Sequence, residues 1–133
     1  MTTSAQYASI PKVGSALLTT ADTSLTAPTT VGTVFTAGAS GSRIDYIDIQ
    51  GVANTSAGIV NLFIFDGTTY FLWQQVPIQA VTSSTTSPAF SVNLSSNANA
   101  NIMPLSFPTG YSLRATTSTA QTGVRVIAYG GDF

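Results

Sequence analysis

Gly58–Ile78 reads GIVNLFIFDGTTYFLWQQVPI, and its pattern sets the class of fold. Side chains alternate across a strand, so Val60, Leu62 and Ile64 share one face. Ile59, Phe63 and Phe65 share the other, and Asn61 is the only polar break. A strand apolar on both faces needs a layer on each side, and in a small β-domain one of these layers is often a neighbouring subunit. Asp66 and Gly67 suit a tight turn with positive φ, which predicts a hairpin between strands at 58–66 and 69–76.

The rest of the chain repeats this grammar. Thr, Val, Ile, Phe and Tyr fill the apolar runs, and Gly, Ser, Asn and Pro separate them. In Pro88–Ser96 (PAFSVNLSS), Phe90, Val92 and Leu94 lie opposite Ser91 and Asn93. In Tyr111–Thr117 (YSLRATT), Tyr111, Leu113 and Ala115 lie opposite Ser112, Arg114 and Thr116. Such alternation marks a sheet with one wet side. Further strands are expected at 15–20, 30–36, 43–52 and 123–129, giving about eight with those at 89–94 and 111–116. The prediction is an all-β, single-domain, antiparallel two-sheet sandwich with jelly-roll-like strand content. An immunoglobulin-like sandwich has a similar strand count, but no cysteine pair flanks Trp73. Residues 1–14 show no strand pattern and are expected to form an extended N-terminal arm, with the sandwich at 15–133.

Composition narrows the function. Apolar residues are 44% of the 133 and charged residues only 7%, with a net charge of −1. The chain can bury a core, but its surface carries little field. Four basic residues scattered along the sequence cannot neutralise a run of phosphates, so no nucleic-acid partner is expected. No apolar run approaches the length of a membrane helix, and no secretory signal pattern opens the sequence. Surfaces depleted in Lys and Glu resemble the interiors of protein interfaces, which points to contact with other protein.

The side-chain inventory excludes most chemistry. There is no His, Cys or Glu, so nucleophilic triads lack their base and zinc sites lack their usual ligands. Lys12 is the only lysine and stands in no phosphate-binding loop. No enzyme activity and no cofactor are expected. Asp22 and Asp66 read as turn formers. Trp73 with Tyr70 and Phe71 reads as core or interface packing, with a sugar-stacking platform as the alternative.

The one cluster of charge lies in Gly41–Val52 (GSRIDYIDIQGV), which holds Arg43, Asp45 and Asp48. Residues three apart on a regular strand face opposite ways, so the two carboxylates cannot act together there. The apolar phase also slips, since Ile44 and Tyr46 share one parity and Ile47 and Ile49 the other. A β-bulge between Tyr46 and Ile47 would restore one apolar face and bring Arg43, Asp45 and Asp48 to the same side. That side is then a solvated face, an intersubunit ion pair or a carboxylate pair. The last lacks a tuned general acid.

Three stretches together resemble a family of small virion structural proteins of tailed bacteriophages, of the capsid decoration (cement) type. They are AGASGSRIDYIDIQG, GIVNLFIFDGTTYFLWQQVPI and LSFPTGYSLRATTSTAQTGVRVIAYGGDF, spread over about residues 31–133. Relatives often carry charge where this chain has Ala120 and Gln121. The resemblance implies a non-enzymatic β-sandwich on the outer surface of the virion head. It implies partners in the major capsid protein and in further copies of itself, often as a trimer. The candidate subunit or capsid contacts are Arg43, Asp45, Asp48, Phe63, Phe65, Trp73, Arg114 and Arg125. A tail or fibre module binding a host receptor or glycan is the alternative.

Overall fold

The computed structural model describes residues 8–94 and 104–133. Nine strands follow in order: β1 (Ile10–Leu18), β2 (Gly32–Thr36), β3 (Ser42–Gly51), β4 (Gly58–Phe65), β5 (Tyr70–Ile78), β6 (Ser91–Leu94), β7 (Leu105–Phe107), β8 (Ser112–Thr117) and β9 (Val124–Asp132). One sheet runs β1-β9-β3-β6, with β7 also beside β3; the other runs β2-β8-β4-β5. All the ladders between strands are antiparallel. β6 pairs with Ile47–Gln50 and β7 with Ser42–Ile44, so together they act as one interrupted edge strand. Eight strand positions in two facing sheets, with the chain passing repeatedly from one to the other, make a jelly-roll sandwich.

The core lies between the sheets. Ile44, Ile47 and Ile49 of β3 and Val126 and Ala128 of β9 enter it from one side. Phe35, Val60, Leu62 and Leu113 enter from the other, all essentially inaccessible to solvent. The hairpin expected from Asp66–Gly67 forms as read. Gly67 takes φ +100°, and the Asp66 carboxylate accepts from the Thr68 and Thr69 amides at 2.9 and 2.7 Å. Those two bonds hold its pKa below the usual carboxylate value, the Thr69 amide contributing most.

Two expectations change, one at the N-terminal end and one in the number of strands. Strand β1 begins at Ile10, so residues 10–14 are not an arm; they pair with β9 along their length. The inward positions of β1 are Lys12, Gly14, Ala16 and Leu18, of which the first three are too small or too polar to display an apolar alternation. Gly14 is small for a reason: a Cβ there would lie 2.0 Å from the Val34 carbonyl oxygen, because β1 crosses β2 at close range. Residues 1–7 of the expected arm lie outside the described residues, as does the loop from 95 to 101. Strand β7 is the one added to the eight expected, three residues long between Pro104 and Pro108, below the length at which period two can be read.

The bulge in β3 exists, with its extra residue at Asp45, between Ile44 and Tyr46. Ile44, Ile47 and Ile49 thereby all face the core. Tyr46 stays outside, stacked on Tyr129 of β9 with ring centroids 4.5 Å apart. The placement has a partner requirement on β9. Gly130 faces Ile44, and a Cβ on it would come within 1.9 Å of the Arg43 carbonyl oxygen. The strands close up at the bulge only because that position has no side chain.

Candidate interaction surfaces

Each sheet has an outer face, and the predicted contact residues divide between them. On the five-stranded sheet, β9 presents Arg125, Ile127 and Tyr129 outward. The register sets them beside Gln50, Asp48 and Tyr46 of β3 and beside Leu17, Ser15 and Val13 of β1. Val13 is 62% exposed, and Leu17 and Tyr46 are also exposed. The bulge brings Arg43 and Asp45 together: Arg43 Nε donates to Asp45 Oδ1 at 2.8 Å, with both side chains open to solvent. A pair so placed contributes little stability. Asp48 lies apart from it and accepts from Asn93 Nδ2 on β6. The two carboxylates therefore do not share a site. The Tyr129 phenol beside Asp48 has its pKa raised, by partial burial first and by the Asp48 charge second.

The four-stranded sheet carries Arg114, Phe63 and Phe65. Asn61, Phe63 and Phe65 of β4 alternate away from the core and face Thr116, Arg114 and Ser112 of β8. Phe63 was expected to contact another subunit. It is 0% exposed within the single chain, flanked in register by Arg114 and Leu72 and met edge-on by the Tyr70 ring at 5.8 Å. The second layer over this strand is built partly from the chain's own side chains. The Arg114 guanidinium lies 4.2 Å from the Phe65 ring centre, and donates to Tyr70 Oη at 3.2 Å and to Ser112 Oγ at 3.1 Å. Below it, Asn61 Oδ1 accepts from Gln75 Nε2 at 3.0 Å, which satisfies the one polar break seen in the strand.

Trp73 is the extra residue of a second bulge, where β5 slips against β4, and it packs against the core cluster. Its neighbour Phe71 is the exposed aromatic, at 50%. The aromatic character of this edge was legible in the sequence; which ring is open to solvent was not, because Phe71 lies opposite Ile64 on the edge strand of the sheet.

One polar cluster was not anticipated. The Asp132 carboxylate near the C-terminus is held by the Ser42 hydroxyl and by Lys12 Nζ at 3.3 Å, joining β9, β3 and β1. The Ser42 hydrogen bond is the larger cause of its lowered pKa, and Lys12 adds to it. Ser42 Oγ also accepts from the Gly38 amide at 2.8 Å. The GSRID and GGDF stretches are thus two sides of one joint. Asp22 is likewise occupied, accepting from the Thr30, Thr29 and Ser24 amides in the crossing between sheets.

Among the described residues no three potential metal ligands stand together. A crevice between Leu17–Thr20 and Thr30–Gly32 holds about 100 Å³, against roughly 300 Å³ or more in sites for small molecules. No protein-family model, curated protein or solved structure matches this chain.

Proposed function

We propose that this chain is a non-enzymatic structural protein of a virion that binds the outer surface of the capsid head and stabilises it, associating with the major capsid protein and with copies of itself. The observation that carries the reading is the surface of the sandwich. Both outer faces present apolar and aromatic side chains between very few charges, and four of the five carboxylates are engaged in turns or ion pairs. Such faces favour burial against protein, and an array of copies on one particle multiplies a modest contact. The jelly roll is also a frequent architecture of viral coat proteins, a likeness of fold that supports the reading by analogy.

The test is location and copy number on purified particles, by cryo-electron microscopy and quantitative mass spectrometry. Many copies arranged on the head are expected; a few copies confined to the tail tip would overturn the proposal. A receptor- or glycan-binding tail module is the second reading. It is favoured by the exposed Phe71 beside the Asp66–Gly67 turn, and it predicts that Phe71→Ala abolishes cell or glycan binding without loss of fold.

A further inference from the structure

The five aspartates and four basic residues can be accounted for one by one. Lys12 pairs with Asp132 and Arg43 with Asp45. Asp22 and Asp66 cap turns through backbone amides. Asp48, Arg114 and Arg125 remain, and none of the three forms an ion pair within the described residues. Two of them, Asp48 and Arg125, lie on the same outer face, one step apart diagonally, since Gln50 faces Arg125 and Asp48 faces Ile127.

We infer that two copies of this chain associate through the outer face of the five-stranded sheet, with Arg125 of each copy paired to Asp48 of the other across a twofold axis. A face on which a cation and an anion lie diagonally adjacent, neither in an ion pair within the described residues, is self-complementary under such an axis. Strands lie about 4.8 Å apart and same-face residues about 6.6 Å apart along a strand, so the remaining contacts follow from the register. An axis in the contact plane, midway between Arg125 and Asp48, brings Ile127 near its own mate. It also sets the exposed Leu17 of one copy over the stacked Tyr46–Tyr129 pair of the other. The strands of the two sheets then cross at roughly 70°, near the orthogonal class of sheet packing. Strands β1, β3 and β9 with the two short strands β6 and β7 present on the order of 550 Å² in projection, and more as accessible surface, comparable with the ~800 Å² that each partner gives to a standard interface. Charge reciprocity fixes the register, and the apolar side chains supply most of the buried area. A threefold contact, as the family resemblance implies, would use a different surface.

This contact does not rest on the virion reading, because it is measured on the purified chain with no particle present. Sedimentation velocity from about 1 to 100 µM should show a concentration-dependent dimer. Asp48→Arg and Arg125→Asp each set like charges opposite one another across the axis and should weaken it at least about tenfold. Both side chains are partly solvated, so the melting curves should stay close to that of the unaltered chain. Mixing the two variants in equal amounts should restore a dimer, because each then supplies what the other lacks. An ion pair within one chain cannot be rescued by mixing. A monomer throughout the range, single variants that still dimerise, or a mixture that stays monomeric would each overturn the inference.

Discussion

Replacing Gly130 by alanine tests the joint between the bulged strand and the C-terminal strand. The added Cβ would sit 1.9 Å from the Arg43 carbonyl oxygen, 2.8 Å from its carbon and 2.9 Å from Ile44 Cα. All three are backbone atoms, so no side-chain rotation relieves the clash. An ordinary contact needs about 3.4 Å, so β3 and β9 must part by more than 1 Å near the Asp45 bulge. Two or three ladder hydrogen bonds there would lengthen or break, at about 1 kcal/mol each. With overpacking strain of about 1–3 kcal/mol, the loss comes to roughly 3–6 kcal/mol. Unfolding entropy of about 2.1 cal/mol/K per residue converts this to a fall in Tm of roughly 11–21 °C for a chain of this length. Gly67→Ala is the control. Its φ of +100° makes alanine strained, but the nearest atom to its Cβ is 3.6 Å away. It should cost only about 1 kcal/mol, or roughly 4 °C. The two variants are compared by thermal and urea unfolding, followed by far-ultraviolet circular dichroism. A Gly130→Ala chain no less stable than Gly67→Ala would refute the close approach of the strands.

Three further outcomes are expected. Asp132 has a folded pKa below its reference value of 3.8, so its contribution to stability is present above that pH and is lost as pH falls through the lower folded value. Asp132→Asn should therefore lower the urea midpoint near neutrality and flatten its decline in acid; an unchanged acid decline would exclude the Ser42–Asp132–Lys12 joint as a contributor. Phe63→Ala should lower stability by about 3 kcal/mol and Phe71→Ala by no more than about 0.5 kcal/mol. Equal effects would mean that Phe63 is not enclosed by the single chain. Trp73→Ala should destabilise the isolated protein by about 2–4 kcal/mol, since its ring packs on the core, and a variant with undiminished stability would place the indole outside it.

The layered fold was legible because period two survives wherever one face is wet and the other packed. Phe90, Val92 and Leu94, and Leu113 with Ala115, point where their alternation said. The reading failed where local geometry replaces large apolar residues with small ones. On β1 the inner face is Lys12, Gly14 and Ala16, and its closeness to β2 demands that smallness. The bulge in β3 was detectable from the phase slip between Ile44 and Ile47. Its exact residue was not, because an insertion at Asp45 or after Tyr46 returns Ile47 and Ile49 to the core equally well. Tyr46 decides between them. Turned outward it stacks on Tyr129, eighty-three residues away, a pairing known only once β9 lies beside β3. The interplay of Lys12, Ser42 and Asp132 was hidden for the same reason, each residue being ordinary in its own segment.

The scarcity of charge has a structural consequence beyond solubility. Three of the five carboxylates hold the chain's own architecture, at two turns and at the meeting of its first, third and last strands. A fourth pairs with the arginine two residues before it. Replacing any of the first three removes a backbone or cross-strand partner, so their positions are fixed by folding. The outer faces must then be kept in solution by hydroxyl and amide groups, or covered. Threonine and serine satisfy the first demand over much of the surface. They do not satisfy it at Val13, Leu17, Tyr46, Ile59, Phe71 and Leu72, where strands present exposed apolar side chains outward or at a free edge. Asp48 and Arg125 lie on one of these faces and Arg114 on the other, and none of the three forms an ion pair within the described residues. Under the proposed contacts the exposed apolar side chains would be buried and these charges would fix the register of the faces.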